Sequence, residues 1–382
     1  MATRSVPFRL ITIGLIGILL AACGAAPSTV SNSAAPTGTG AAAATPSPTP
    51  VHVRYVVSLK VFPAGQSPYY TSTPDYLGFF KQEGLDVEFQ TADGGNNGVK
   101  VLAIGQGDIL LAGAQVVFTA VDQGAKIHAF HSFLSSPQDT PAVIGDSPIK
   151  SVADLKGKTI GVAAMGQSST DTLNALLVDA RIDPKKDVSI IPIGTGGAQT
   201  AVAVKDKKVD AMMLNDSQYA NLESLGLTIR QLPAPLLARF SFAQVLAVRD
   251  EFAQQHPDAV ARFGRALAKA TLFSQTNPEA AIRVHWKAYP ETKATGLDEA
   301  TALAQDLRAY KARIQKTIPA KGALWGDATD DAITASRDIL FQSGQIKQQL
   351  PVSAYFTRDY LKQANDFDAA QIIDMAKNYV VK

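Results

Sequence analysis

A small set of polar and aromatic side chains could do ligand chemistry in this chain, and most of them follow an apolar, strand-like run. Hydroxyl, amide and carboxylate groups exchange hydrogen bonds with the amino, ring N–H and carbonyl groups of a small polar ligand. Aromatic side chains can cover the flat face of a ring. The predicted ligand-binding residues are Tyr69, Tyr70, Asp75, Gln115, Gln167, Ser168, Ser169, Asn215, Asp216 and Tyr219.

The stretch 151–170 indicates how such side chains would be positioned. Residues 159–163 form a short apolar run rich in β-branched side chains, which predicts a strand. Gly166 then turns the chain into a predicted helix that Ser168 or Ser169 would cap. A strand that passes through a short loop into a helix leaves unpaired backbone N–H groups, and these bind polar groups of a ligand.

Five predicted strand ends of this kind can converge on one site, because ligands of open α/β sheets bind outside the carboxyl ends of the strands. None of the five segments contains a lysine or an arginine, which argues against a compact oxyanion as ligand. Aromatic residues and hydrogen-bond acceptors favour a flat nitrogen heterocycle instead. The segments are 62–75, 112–118, 164–171, 194–200 and 214–219.

Strand-like and helix-like segments alternate from Val51 onward, which predicts an α/β fold with mostly parallel sheets and flanking helices. The remaining length allows two lobes, with a ligand cleft between them that closes by a hinge motion. The C-terminal helices are predicted to pack back on the first lobe. The predicted ranges are a signal peptide at 1–22, a disordered tether at 23–50, lobe 1 at 51–141, lobe 2 at 142–243, and a return to lobe 1 with the C-terminal helices at 244–382.

The N-terminus has the pattern of an exported lipoprotein. Arg4 and Arg9 precede an apolar run at 10–22 that is too short to span a bilayer as a helix. The run ends in Leu-Ala-Ala-Cys, which resembles the bacterial lipobox, and Cys23 is the only cysteine of the chain. We therefore expect diacylation of Cys23 and a lipid anchor. The alternative is an ordinary secretory signal with Cys23 incidental.

The composition after Cys23 excludes several classes of function. Residues 24–50 are almost entirely small, polar or proline, so they cannot bury apolar surface. Cleavage of the signal removes two arginines and no acidic residue, which takes the formal charge from +2 to zero. A neutral mature body has no bulk positive charge with which to bind nucleic acid. Without a further cysteine it also has no disulfide framework.

Two stretches carry a family resemblance. Residues 77–88, Leu-Gly-Phe-Phe-Lys-Gln-Glu-Gly-Leu-Asp-Val-Glu, and residues 151–162, Ser-Val-Ala-Asp-Leu-Lys-Gly-Lys-Thr-Ile-Gly-Val, resemble type II substrate-binding proteins of ABC importers. The similar branch includes nitrate, sulfonate, taurine and thiamine-precursor binders. The resemblance implies a monomer outside the cytoplasmic membrane that delivers its ligand to permease and ATPase subunits. It leaves two ligand classes open: riboflavin or the thiamine pyrimidine precursor, and sulfonate, taurine or nitrate.

The sequence does not favour an enzyme. It has no nucleophile-elbow serine motif and no phosphate-binding loop with Lys-Ser/Thr. His128 and His131 lie three apart on a predicted strand, hence on opposite faces, so we expect no shared metal and no cofactor. Eukaryotic relatives that synthesise the thiamine pyrimidine need a cysteine-rich motif, which is absent here. Two rival hypotheses remain: an enzyme on the same fold, and a sensory or adhesive surface lipoprotein without a transporter.

Overall fold

A computed structural model describes residues 50–134, 136–319 and 322–381. The predicted signal peptide, the lipid-attachment residue Cys23 and nearly all of the predicted tether lie outside the described residues. The described residues form one compact unit.

Strands and helices alternate through the first two thirds of this unit, and helices follow in the last third. The strands are β1 (Val51–Val57), β2 (Leu85–Thr91), β3 (Ile109–Gly113), β4 (Ile127–Ser132), β5 (Asp139–Ile144), β6 (Thr159–Val162), β7 (Ser189–Pro192), β8 (Ala211–Asn215), β9 (Ile229–Gln231) and β10 (Gln244–Arg249). The helices are α1 (Ser72–Tyr76), α2 (Phe79–Gln82), α3 (Gly95–Ala103), α4 (Ala114–Asp122), α5 (Ser168–Asp179), α6 (Ala198–Lys205), α7 (Asp216–Ser224), α8 (Asp250–Gln255), α9 (Pro257–Thr276), α10 (Pro278–Ala288), α11 (Glu299–Ile314), α12 (Asp330–Gln342), α13 (Leu361–Ala364) and α14 (Ala369–Lys377).

The strands form two five-stranded sheets, one in each lobe. The first has the order β2-β1-β3-β10-β4, and the second has the order β7-β6-β8-β5-β9. In the first sheet only β10 runs against its neighbours, and in the second only β5 does. The prediction of an α/β fold with mostly parallel sheets and flanking helices is confirmed.

The two reversed strands carry the chain between the lobes. The chain leaves the first sheet after β4 and joins the second sheet as β5, and it returns to the first sheet as β10. An antiparallel strand can be added without a helical crossover, so one short connection suffices in each direction. The carboxyl ends of the remaining strands then face a common cleft.

Glycine and proline residues set the ends of several helices. Gly78 has a left-handed φ of 72° and separates α1 from α2. Helices α9 and α10 both begin with a proline at the first helical position.

The sequence predicts that the C-terminal helices pack on the first lobe. In the structure two of them, α11 and α12, also contact the second lobe. Helix α11 packs against α7 of the second lobe, and α12 contacts both α4 and α5. Ile333 and Leu340 of α12 belong to an apolar core cluster of the first lobe, whereas Ile339 lies in a core cluster of the second. These helices therefore bridge the two lobes, which a sequence period cannot reveal because it gives only the apolar face of a helix and not its partner.

His285 holds the loop before α1 against α10. Its side chain is fully buried, with Nε2 donating to the carbonyl of Phe62 at 2.6 Å and Nδ1 accepting from the hydroxyl of Ser72 at 2.8 Å. Burial lowers the pKa of His285 to about 4, so the ring is neutral.

We expect His285→Ala to lower the free energy of unfolding by about 3 kcal/mol, because it leaves a cavity and unpairs the buried groups of Ser72 and Phe62. Urea denaturation at pH 7 measures this. His52→Ala, at an exposed position, serves as the control and should change the value by less than about 0.5 kcal/mol. Equal effects of the two substitutions would contradict the role of His285.

Candidate functional site

The two lobes touch each other across the cleft, so the structure has a closed arrangement. Oε1 of Gln66, in the loop after β1, accepts hydrogen bonds from Nδ2 of Asn215 at 3.3 Å and from Oγ of Ser217 at 3.1 Å. The backbone N–H of Asn96 donates to the carbonyl of Gly166 at 3.3 Å. Loops at the carboxyl ends of strands from both sheets thus close over the space between them.

A small polar cavity of about 60 Å³ lies at the deep end of the cleft, and we call it the inner cavity. Strand ends, helix N-termini and one residue of α11 surround it. Its lining residues are Val57, Ser58, Leu59, Gln66, Tyr70, Gly95, Leu111, Ala112, Gly113, Gln138, Asp139, Gln167, Ser168, Ser169, Asn215, Gln218, Gln244 and Arg313.

A wider cavity of about 350 Å³ adjoins the inner cavity, and we call it the vestibule. Leu59, Gln66, Gln167 and Gln218 line both cavities. The volume of the vestibule falls in the range of sites that bind small molecules. Its other lining residues are Lys60, Val61, Pro63, Gly65, Asp93, Gly94, Ala163, Ala164, Thr195, Ser217 and Asn221.

The structure brings part of the predicted site together. Tyr70, Gln167, Ser168, Ser169 and Asn215 all line the inner cavity, because each lies at a strand end or in the first turn of a helix.

Two further predicted residues lie next to this group. Gln115, in the first turn of α4, lies beside Gln138 and Asp139 in a narrow adjoining space. Asp216, the first residue of α7, lies against Arg313.

Three predicted residues are not brought to the inner cavity. The hydroxyl of Tyr219 donates to the carbonyl of Thr140 at 2.7 Å within the second lobe. Tyr69 is fully buried behind Tyr70, and its hydroxyl donates to Oε1 of Gln244 at 2.7 Å. Asp75 is exposed in α1. Tyr219 and Tyr69 therefore support the walls of the site through their own lobes.

Helix α5 presents an uncapped N-terminus to the inner cavity. Its first residues are Ser168 and Ser169, and its N-cap position is Gln167, which makes no side-chain cap hydrogen bond. The prediction that Ser168 or Ser169 caps the helix is wrong, since both residues already lie within it. Uncapped N–H groups and the positive end of the helix dipole remain available to acceptor groups of a ligand.

The sequence analysis missed Arg313, which the structure places in the inner cavity. Arg313 is 1% exposed and donates to Oδ1 of Asp216 through Nε at 2.9 Å and Nη2 at 2.6 Å. Burial acts to lower the pKa of Arg313, but the Asp216 carboxylate outweighs it, and the net pKa is raised. The inference that the site lacks cations is therefore wrong, because Arg313 reaches the inner cavity from α11 and Lys60, just after β1, lines the vestibule.

Three polar side chains in or beside the inner cavity have a buried oxygen without a partner. The buried Oε1 atoms of Gln115 and Gln138 and the hydroxyl of Ser169 make no hydrogen bond among the described residues. Asp139 also lines the inner cavity, and burial raises its pKa to about 6. Buried polar atoms normally have partners, so this group marks a place where a ligand would supply them.

The similarity of the chain to known proteins fits this architecture. Residues 67–281 match the family model described as NMT1/THI5 like, which is more than half of the chain. The chain belongs to the NMT1/THI5-like family.

Relatives of this NMT1/THI5-like chain include binding proteins of different ligands. The riboflavin-binding protein RibY of Chloroflexus aurantiacus is 24% identical over 365 residues, which cover 92% of this chain and 97% of RibY. The alkanesulfonate-binding protein SsuA of Xanthomonas axonopodis pv. citri, bound to MOPS, has a TM-score of 0.62 at 17% identity and covers 81% of this chain and 99% of its own. The nitrate-binding protein NrtA of Synechocystis has a TM-score of 0.57 at 14% identity and covers 85% of this chain and 91% of its own. The fold is thus that of periplasmic substrate-binding proteins.

The described residues of this family member lack two kinds of feature. No helix there is both long enough and apolar enough to cross a membrane. No cluster of three His, Cys, Asp or Glu side chains there is arranged to hold a metal ion.

A separate cavity of about 240 Å³ lies beside His131, at the end of β4. Trp325, Leu324 and Ile318 contribute apolar surface to it. It contains none of the predicted site residues, and its lining comes from the first lobe, the returning segment and the C-terminal region. It is therefore not the cleft in which two lobes could trap a ligand.

Asp171, in the first turn of α5, is a carboxylate kept in a poorly solvated position. Burial raises its pKa to about 7, well above its ordinary value. The folded state therefore holds a proton that the unfolded chain releases near pH 4, so this group makes the protein less stable as the pH rises from about 4 to 7.

We expect Asp171→Asn to leave stability unchanged near pH 4 and to raise it by about 1–2 kcal/mol above pH 7.5. Denaturant titrations at the two pH values measure the difference. Asp179→Asn, at the exposed end of the same helix, is the matched control and should bring no such pH-dependent gain. A gain of equal size at both pH values for Asp171→Asn would rule out this explanation.

Proposed function

We propose that this protein is the lipid-anchored solute-binding component of an ABC importer and that it captures a flat nitrogen heterocycle. The observation that carries the proposal is the closed cleft, in which a polar inner cavity with unpartnered buried oxygens opens into a vestibule of about 350 Å³. A polar ring edge would occupy the inner cavity and the rest of the ligand would occupy the vestibule. Riboflavin and a thiamine pyrimidine precursor are the preferred candidates, and the similarity to RibY supports the former.

The anchor and the partners belong to the same proposal. Diacylated Cys23 would hold the protein at the membrane, facing the periplasm or the cell exterior, and a permease with its ATPase subunits would receive the ligand from a monomer. We expect Cys23→Ser to move the protein from the membrane fraction to the soluble fraction. Retention of the variant in the membrane would rule out the anchor and would leave ligand binding untouched.

Arg313 favours a second candidate, an alkanesulfonate. An arginine pairs well with sulfonate oxygens, and the uncapped N-terminus of α5 adds further donors. The ion pair with Asp216 already neutralises this arginine, which is why the heterocycle remains the preferred ligand.

Native mass spectrometry of the purified full chain tests the proposal, because tight binders retain ligand through purification. A retained flavin, also visible by its absorbance, or a retained pyrimidine would support the heterocycle. A retained sulfonate would overturn it in favour of the second candidate. If the protein is empty, a thermal-shift screen with riboflavin, pyrimidines and alkanesulfonates follows, and stabilisation by none of them would refute both candidates.

A further inference from the structure

The charges at the inner cavity compensate one another. Arg313 and Lys316 both pair with Asp216, at 2.6 Å and 3.0 Å. Asp139 adds a second carboxylate close enough to interact with all three of these groups. Two cations thus face two carboxylates, and a ligand with a full charge would disturb this balance at a buried position.

Several unpartnered acceptor atoms lie at and beside the inner cavity. Asp139 and Gln138 line the inner cavity, and Gln115 lies beside them in the narrow adjoining space; the Oε1 atoms of both glutamines have no partner. A compact oxyanion brings only acceptors, so it would leave these oxygens unpaired and place negative charge beside Asp139. A ligand that carries N–H groups would give these oxygens the hydrogen-bond partners that they lack.

Arg313 supplies hydrogen-bond donors to the same inner cavity. A guanidinium carries five N–H donors, more than the two contacts of Arg313 with Asp216 use. The remaining donors can reach an acceptor within the inner cavity, which Arg313 lines. The cavity therefore presents acceptors and donors next to each other.

The geometry points to a neutral ligand whose leading edge is a cyclic imide or lactam, with Asp139 accepting from the ring N–H and Arg313 donating to the adjacent carbonyl oxygen. This inference rests on the proposed function and narrows its ligand class. It makes Asp139 and Arg313 the residues that select an N–H/C=O edge over a sulfonate. The two glutamines and Ser169 would complete the hydrogen bonding of the same ring edge.

A pair of probes that differ at one ring nitrogen tests the inference. Lumiflavin has the imide N–H, and 3-methyllumiflavin has a methyl group in its place. We expect the full chain to bind lumiflavin at least tenfold more tightly than 3-methyllumiflavin in fluorescence titrations. Asp139→Leu should remove most of this preference, because it removes the acceptor, while Asp359→Asn, at an exposed position, should leave it unchanged.

Uracil and lumazine, with their N-methyl derivatives, extend the test to smaller imides, and MOPS and taurine represent sulfonates. Binding of a small imide with the same N–H preference would support the inference even if no flavin binds. Equal binding of methylated and unmethylated imides would overturn the inference but not the proposed heterocycle. Binding of a sulfonate with no binding of any imide would overturn both, and the mass of a retained ligand would confirm which class the protein carries.

Discussion

Arg313→Met is expected to lower the free energy of unfolding by about 3 kcal/mol and to abolish ligand binding. Breaking a buried ion pair by removing one partner costs about 3–5 kcal/mol, since the other charge stays buried. Asp216 keeps its contact with Lys316 at 3.0 Å, so we place the cost at the lower end. Chemical denaturation and titration with riboflavin measure the two effects separately.

A double substitution distinguishes the structural part of this effect from the part in ligand binding. In Arg313→Met/Asp216→Leu both charges of this pair are gone, and part of the lost stability should return, although Lys316 loses its contact with Asp216. Binding should not return, because the donor to the ligand is still missing. Arg308→Met is the matched control on the same helix, since its pair with Glu223 is exposed and should contribute less than about 1 kcal/mol. An equal loss in Arg308→Met, or no recovery in the double variant, would contradict the prediction.

Gly113→Ala is expected to weaken ligand binding by about tenfold or more while leaving the fold intact. A Cβ at Gly113, at the end of β3, would lie 2.1 Å from Oγ and 2.2 Å from Cβ of Ser168 in the other lobe. Gly113 has φ −67° and ψ 143°, which any residue adopts, so the substitution adds no backbone strain. The contact would keep the lobes from closing, and trapping of the ligand depends on closure.

Small-angle scattering with and without riboflavin, combined with calorimetric titration, measures closure and affinity of the glycine variants. Ser168→Gly in the Gly113→Ala background removes both colliding atoms and should restore the ligand-dependent compaction. Gly197→Ala is the control, since its Cβ would meet nothing within 4 Å. Full compaction and normal affinity in Gly113→Ala alone would show that the lobes bind ligand without the close approach seen here.

The apolar runs and the glycine residues of the sequence were sufficient to predict local elements near the site. An apolar run followed by Gly166 predicted β6, and the predicted strand ends 112–118, 164–171 and 214–219 contain Gln115, Ser168 and Asn215. These residues lie within a few positions of their strands, so the regular geometry of a strand and the following helix decides where they lie. Whether they bind a ligand stays a prediction.

From the sequence alone, the aromatic residues that line the inner cavity could not be distinguished from those that pack in the hydrophobic core. Tyr69, Tyr70 and Tyr219 all follow strands, yet only Tyr70 among them lines the inner cavity. The hydroxyl of Tyr219 finds carbonyl partners within its own lobe, and the ring of Tyr69 packs against Phe133. A buried tyrosine hydroxyl pairs with an acceptor that the fold places beside it, and that acceptor is not adjacent in sequence.

By itself the sequence determined the fold class, because the alternation of strands and helices depends on local period and on chain order. Only the tertiary structure decided that a cation, Arg313, lines the inner cavity. Arg313 reaches the inner cavity from α11, some two hundred residues after β3 and about one hundred after Asp216, its ion-pair partner. Its position depends on the packing of α11 against α7 across both lobes, and long-range packing of this kind leaves no mark in local sequence patterns.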